Sequence, residues 1–219
     1  MNYPNLEIIS LHIAKTGGKT FVNLMKDLYG NEKVIRFRKV KYEVLNNDYS
    51  IELKNEASIF NVLHGHFLYN EVKDIHLNSN AKVITWLRDP VERVISRYFY
   101  LQKRIEQDPN HIQKEKKDMG LLNYAALPSQ RNVMSQYVNG IAIENLFFIG
   151  ILEYFDQSIE EFKQLFNFTN KVEIPWDNNN QEYKSKYAVS QEERNEILNL
   201  NKKDLELYNM VLKLKGIKK

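Results

Sequence analysis

The stretch HIAKTGGKTF, beginning at His12 and ending at Phe21, constrains this chain more than any other. Residues 8–13 leading into it are short, apolar and β-branched, the pattern of a buried strand in a parallel sheet. Beyond it Phe21, Leu24, Met25 and Leu28 recur at helical spacing, and Gly30 supplies a helix stop. The motif therefore sits on a strand–loop–helix unit. Gly17 and Gly18 let the backbone approach an anion closely, and the helix N-terminus behind them offers N–H groups and a positive dipole end. Lys15, Thr16, Lys19 and Thr20 add charge and hydroxyl donors. This reads as a phosphate cradle; a glycine-rich turn with solvated lysines is the plainer alternative.

The letters GGKT match the second half of a nucleotide-binding loop, G-x-x-x-x-G-K-[ST]. The first glycine of that pattern falls at position 13, where this chain has Ile13. The loop is thus either an impaired ATP site or a site for another phosphorylated ligand.

A length of 219 residues is one α/β domain in the simplest reading, long enough for a sizeable core. The expected fold class is α/β, a single P-loop-NTPase-like domain over residues 1–219, with a central, mostly parallel sheet flanked by helices. A net charge of +3 fits an anionic small ligand and is too weak to argue for nucleic acid. The absence of cysteine excludes disulfides, thiolate metal sites and cysteine nucleophiles. No apolar run approaches the roughly 20 residues of a membrane helix, and the first residues do not resemble a signal peptide. A cytoplasmic protein with no membrane span is the expectation.

Residues 59–63 form a second strand candidate, ending in the HGH of residues 64–66. Residues 82–87 (KVITWL) form a third and run into RDPVERVISRYFY. There Asp89 reads as an N-cap, Pro90 as the first-turn proline and Glu92 as the closing member of a capping box. Val91, Val94, Ile95, Tyr98 and Leu101 mark one helical face. Residues 107–120 are charged and read as a mobile insertion. A fourth strand is expected at residues 146–149, with a helix around residues 158–168. Residues 170–187, including an asparagine run, read as a polar segment. Ser190 with Glu193 opens a last helical stretch that continues towards Leu212, before a lysine-rich tail.

Arg88 leaves the third strand at its C-terminal end, where ligands of open α/β sheets bind, and Ser96 lies about two helical turns on. Arg88 is placed to grip a second anionic group, or else Arg88, Asp89 and Arg93 make only local salt bridges and caps. His64 and His66 face one side if they lie on a strand. A neutral imidazole beside a hydroxyl substrate is a good general base. Two alternative readings are a metal-ligating pair, although no third and fourth ligand stands out, and a pair satisfied structurally by hydrogen bonds. His12 reads as structural, and His76 and His111 as surface residues.

Together these elements resemble the sulfotransferase superfamily that uses 3′-phosphoadenosine 5′-phosphosulfate (PAPS), specifically carbohydrate enzymes of the heparan sulfate and uronyl 2-O-sulfotransferase type. That family has a first-strand exit like HIPKTGGTSF, here HIAKTGGKTF, and a second signature like LRDPVERVISHYYY, here LRDPVERVISRYFY. RNVMSQYVNG, FIGILEYFDQSIEEF and LNLNKKDLELY resemble further family segments, so the likeness covers nearly the whole chain.

The resemblance implies a PAPS-dependent O-sulfotransferase acting on a saccharide or other hydroxyl-bearing acceptor by in-line transfer, without a metal. Lys15, Thr16, Gly17, Gly18, Lys19 and Thr20 would hold the 5′-phosphosulfate, with Lys15 reaching the bridging oxygen. Arg88 and Ser96 would hold the 3′-phosphate. His66 would be the base, with His64 as its neighbour. The chain departs from the family at Ala14, where proline is usual, and at Met134 and Gln136, where glutamine and arginine are usual. Two other readings remain open: a P-loop kinase or NTPase using GGKT, though no clear Walker B aspartate is present, and a non-catalytic module binding PAPS or a glycan.

Overall fold

The first buried run forms strand β1, Ile8–Leu11, and helix α1, Gly18–Tyr29, follows the glycine loop. The computed structural model describes residues 2–38, 48–108, 110–168 and 187–217. The asparagine run and most of the polar segment expected at residues 170–187 lie outside the described residues, as do the last two lysines.

The described residues form two compact units, one of residues 1–87 and 136–177 and the other of residues 88–135 and 178–219. The first unit holds a five-stranded sheet. Besides β1 it contains β2 (Val34–Phe37), β3 (Val62–Gly65), β4 (Lys82–Leu87) and β5 (Phe148–Ile151), in the spatial order β2-β3-β1-β4-β5. Every pairing is parallel. Helices α2 (Tyr49–Ile59), α3 (Tyr69–Leu77) and α7 (Phe155–Leu165) complete it together with α1. The parallel α/β architecture expected from the sequence is what the chain forms.

Strands β1, β3 and β5 are buried throughout, as expected where crossover helices cover a parallel sheet on both faces. On one face, Ile8, Val62, Ile84, Trp86 and Phe148 pack under Phe21, Val22 and Met25 of α1 and under Phe155, Ile159 and Phe162 of α7. Phe21 meets Phe162 edge to face with centroids 5.0 Å apart and lies 5.2 Å from Trp86. Each large apolar side chain so buried contributes about 1.5–3 kcal/mol, which explains why α1 keeps its amphipathic spacing.

Strand β1 is central. The crossover that leaves it runs to β2 on one side, and the crossover from β3 runs past it to β4 on the other. The carboxyl ends of β1 and β3 therefore flank a switch point of the topology, the usual ligand crevice of an open α/β sheet.

The second unit contains α4 (Pro90–Gln107), α5 (Leu121–Ala126), the first three residues of α6 (Val133–Tyr137), α8 (Gln191–Leu200) and α9 (Lys202–Leu214). Asp89 caps α4, its Oδ1 accepting from the N–H groups of Val91 and Glu92. Glu92 does not close a capping box. Its carboxylate takes a hydrogen bond from Arg194 at 2.7 Å, because α8 brings a guanidinium within reach. Arg93 is buried and turns to the Gln130 carbonyl and towards Asp204. Asp204, also buried, accepts from the main-chain N–H of Met134 and from the N–H and hydroxyl of Ser135.

Some boundaries differ from the sequence reading. The second strand candidate, residues 59–63, is displaced: Ile59 ends α2, and the strand runs from Val62 to Gly65. The fourth shifts by two residues, since the ladder pairs Ile84 with Phe148. The last helical stretch is two helices, broken at Asn201, whose amide donates to the Ile197 carbonyl and accepts from Asn132 N–H. Ser190 and Glu193 do form the expected capping box.

Candidate functional site

The loop between β1 and α1 is built around two left-handed residues. Gly17 is the N-cap of α1 with φ +92°, and Lys15 has φ +73°. A non-glycine residue in that region costs about 1 kcal/mol or more and persists only where its surroundings enforce it. The enforcement is visible at Thr16, which is buried and donates its hydroxyl to the Ile13 carbonyl at 2.9 Å. That hydroxyl proton is spent inside the loop. Of the loop lysines, Lys15 is half-buried and Lys19 exposed.

No side chain caps α1, and its first turn carries no acidic residue. The first N–H groups and the positive end of a 12-residue helix thus open next to Lys15 and Thr20. These residues fit a phosphate or phosphosulfate group on the chemistry of the donor set alone.

The HGH segment leaves β3 beside this loop. Parallel register pairs Ser10 with His64 and Leu11 with Gly65, so Ser10, His12, His64 and His66 share one side. His12 extends the ladder by one bond, its N–H donating to the Gly65 carbonyl at 2.8 Å. The His12 ring stacks on His64 (centroids 4.6 Å, 28°) and on His66 (4.1 Å, 22°). Gly65 points the other way, where a Cβ would come within 2.9 Å of the Phe37 carbonyl oxygen, so only glycine separates the two histidines comfortably.

The three imidazoles differ in environment. His64 is buried, and its Nδ1 lies 2.9 Å from the Ser10 hydroxyl. Burial, then the nearby His66 and Arg36, push its pKa down from 6.5 to about 3. Burial, followed by His64, His66 and Arg36, likewise drives His12 far below the ordinary range. Both are neutral imidazoles at physiological pH.

His66 is the exposed member, and its Nδ1 lies 2.6 Å from the main-chain oxygen of His12. A carbonyl only accepts, so Nδ1 carries the proton and Nε2 is the basic nitrogen. Arg36, paired with His64 in register on β2, places a cation near the same group.

The structure therefore brings together Lys15, Thr16, Gly17, Gly18, Lys19 and Thr20 with His64 and His66. His12, set aside as structural by the sequence reading, joins them at the centre of the stack. Only the strand pairing reveals this, because His12 and His66 are 54 residues apart. Arg88 and Ser96 belong to the second unit, where Arg88 is buried ahead of the α4 cap and Ser96 is half-buried on that helix. Among the described residues, no group of three or more His, Asp or Glu is arranged to hold a metal. No described helix is long and apolar enough to cross a membrane.

The family described as "Sulfotransferase family" matches residues 3–210. A solved sulfotransferase from Alicyclobacillus acidocaldarius shares the fold, with a TM-score of 0.56, 13% identity and 97% of each chain covered. No curated protein matches the chain significantly by sequence.

Proposed function

We propose that this chain, which belongs to the sulfotransferase family, moves a sulfuryl group from PAPS to a hydroxyl, with a saccharide as the acceptor and His66 as the general base. The observation that carries the reading is the hydrogen bond from His66 Nδ1 to His12 O. It leaves the basic nitrogen on an exposed ring that is bonded to the residue leading into the anion loop.

The chain's own residues divide the work. The loop N–H groups from Gly17 onward, the α1 N-terminus and Lys15 bind the 5′-phosphosulfate and stabilise charge gathering on the departing phosphate. By the family likeness, Arg88 and Ser96 hold the 3′-phosphate, which ATP does not have. His66 Nε2 takes the acceptor's hydroxyl proton as the new O–S bond forms and the old S–O bond to phosphate breaks. Adenosine 3′,5′-bisphosphate leaves. His64 and His12, held neutral by burial, do not compete for the proton. PAPS supplies the activated sulfuryl group, and the family chemistry calls for no metal.

Thermal unfolding with nucleotides tests the donor assignment. Adenosine 3′,5′-bisphosphate should raise the melting temperature in the presence of EDTA, as any ligand of the folded state does. Stabilisation by ATP with magnesium and none by the bisphosphate would return the loop to a kinase or NTPase reading.

A further inference from the structure

We propose that His12 is a positioning residue that fixes the base against the phosphate loop, so that donor and acceptor chemistry share one rigid joint. The inference rests on the reading of His66 as base. Its grounds are in the geometry around His12.

The main chain of His12 is held at both polar atoms: N–H to the Gly65 carbonyl, and O to His66 Nδ1. Its ring forms a wall against which the His66 imidazole lies nearly parallel at 4.1 Å, and it meets His64 as well. The far edge of that ring lies under Gly18, the first residue of α1, where an added Cβ would fall 2.1 Å from Cδ2 and Nε2. The imidazole thus occupies space that the loop glycine vacates, touching the base on one side and the anion-binding helix start on the other.

Nδ1 of His12 is buried without a hydrogen-bond partner among the described residues. A ring retained there does not owe its place to a bond at that nitrogen; flatness and volume hold it. A displacement of about 1 Å in a reacting group can cost a hundredfold in rate, which is what a stacked wall on the base prevents.

Three substitutions separate this from a purely structural role. His12→Phe keeps a flat ring, His12→Leu keeps volume without flatness, and His12→Ala keeps neither. The phenylalanine variant should retain kcat within about fivefold. The leucine and alanine variants should lose kcat by about 10- to 100-fold while binding adenosine 3′,5′-bisphosphate within about threefold of wild type. Comparable kcat in all three, or parallel loss of kcat and bisphosphate affinity, overturns the proposal.

An activity-independent arm covers failure of the sulfotransferase reading itself. Nitrogen-15 NMR of the imidazoles should show His66 protonated at Nδ1 in wild type and His12→Phe, and a mixed tautomer in His12→Leu. If wild type transfers no sulfuryl group, the functional reading falls while this arm still decides the positioning role. An unchanged His66 tautomer in the leucine variant contradicts it.

Discussion

His66 donates from Nδ1 to the main-chain oxygen of His12 across 2.6 Å, joining the end of one parallel strand to the start of the anion loop on its neighbour. The pairing fixes which nitrogen of His66 is basic and sets it at the sheet's switch point. It also separates the roles of two histidines only two residues apart, since His64 is buried and held by Ser10.

His66→Asn should lower kcat by about 10²- to 10⁴-fold, the range of general-base catalysis. Calorimetric binding of adenosine 3′,5′-bisphosphate should stay close to wild type. His64→Asn should instead show its main effect in stability, because its environment is buried.

The two loop lysines should separate. Lys15→Ala should cost about 10²- to 10³-fold in kcat, as loss of a transition-state charge contact does. Lys19→Ala should cost less than about tenfold, because Lys19 is exposed. Steady-state kinetics on both variants checks this, and the reverse order would support a Walker-type loop.

Gly18→Ala should lose about 1–3 kcal/mol in urea unfolding, the usual cost of overpacking. Its Cβ would be 2.1 Å from a His12 ring that is stacked on two others and has no easy retreat.

Acid should destabilise the fold earlier than carboxylate titration alone requires. His64 and His12 have folded-state pKa values depressed from 6.5, so the unfolded chain binds more protons. Their stabilisation is complete above pH 6.5 and falls as pH drops below it, by up to about 1.4 kcal/mol per unit for each histidine. For His64 the loss levels off near pH 3. Urea midpoints measured between pH 7.5 and about 4.5 should decline, and less steeply in His64→Gln.

Asp204→Ala should destabilise by about 3 kcal/mol or more, since a buried carboxylate is removed from two main-chain N–H groups, a hydroxyl and the neighbouring Arg93. Chemical denaturation gives the value.

Elements with strong local signals were legible in the sequence. The β4–α4 junction could be read to the residue because Asp89 and Pro90 specify a helix start without help from elsewhere. The strand–loop–helix around HIAKTGGKTF was equally local. Strand β2 escaped notice because Arg36 interrupts its four-residue apolar run. The edges of β3 and β5 slipped because flanking apolar residues extend each run, and only the ladder decides which residues pair. His64 and His66 announced themselves by spacing. His12 did not, since its place in the stack depends on a parallel pairing between distant segments.

Transfer of a labelled sulfuryl group from PAPS to a panel of saccharide hydroxyls, run with EDTA on wild type and His66→Asn, tests the central claim most directly. The account predicts label in at least one acceptor with wild type and a loss of about 10²-fold or more in the variant. Equal transfer by both proteins would contradict the assigned base, and label that never leaves the donor would contradict sulfuryl transfer to a saccharide.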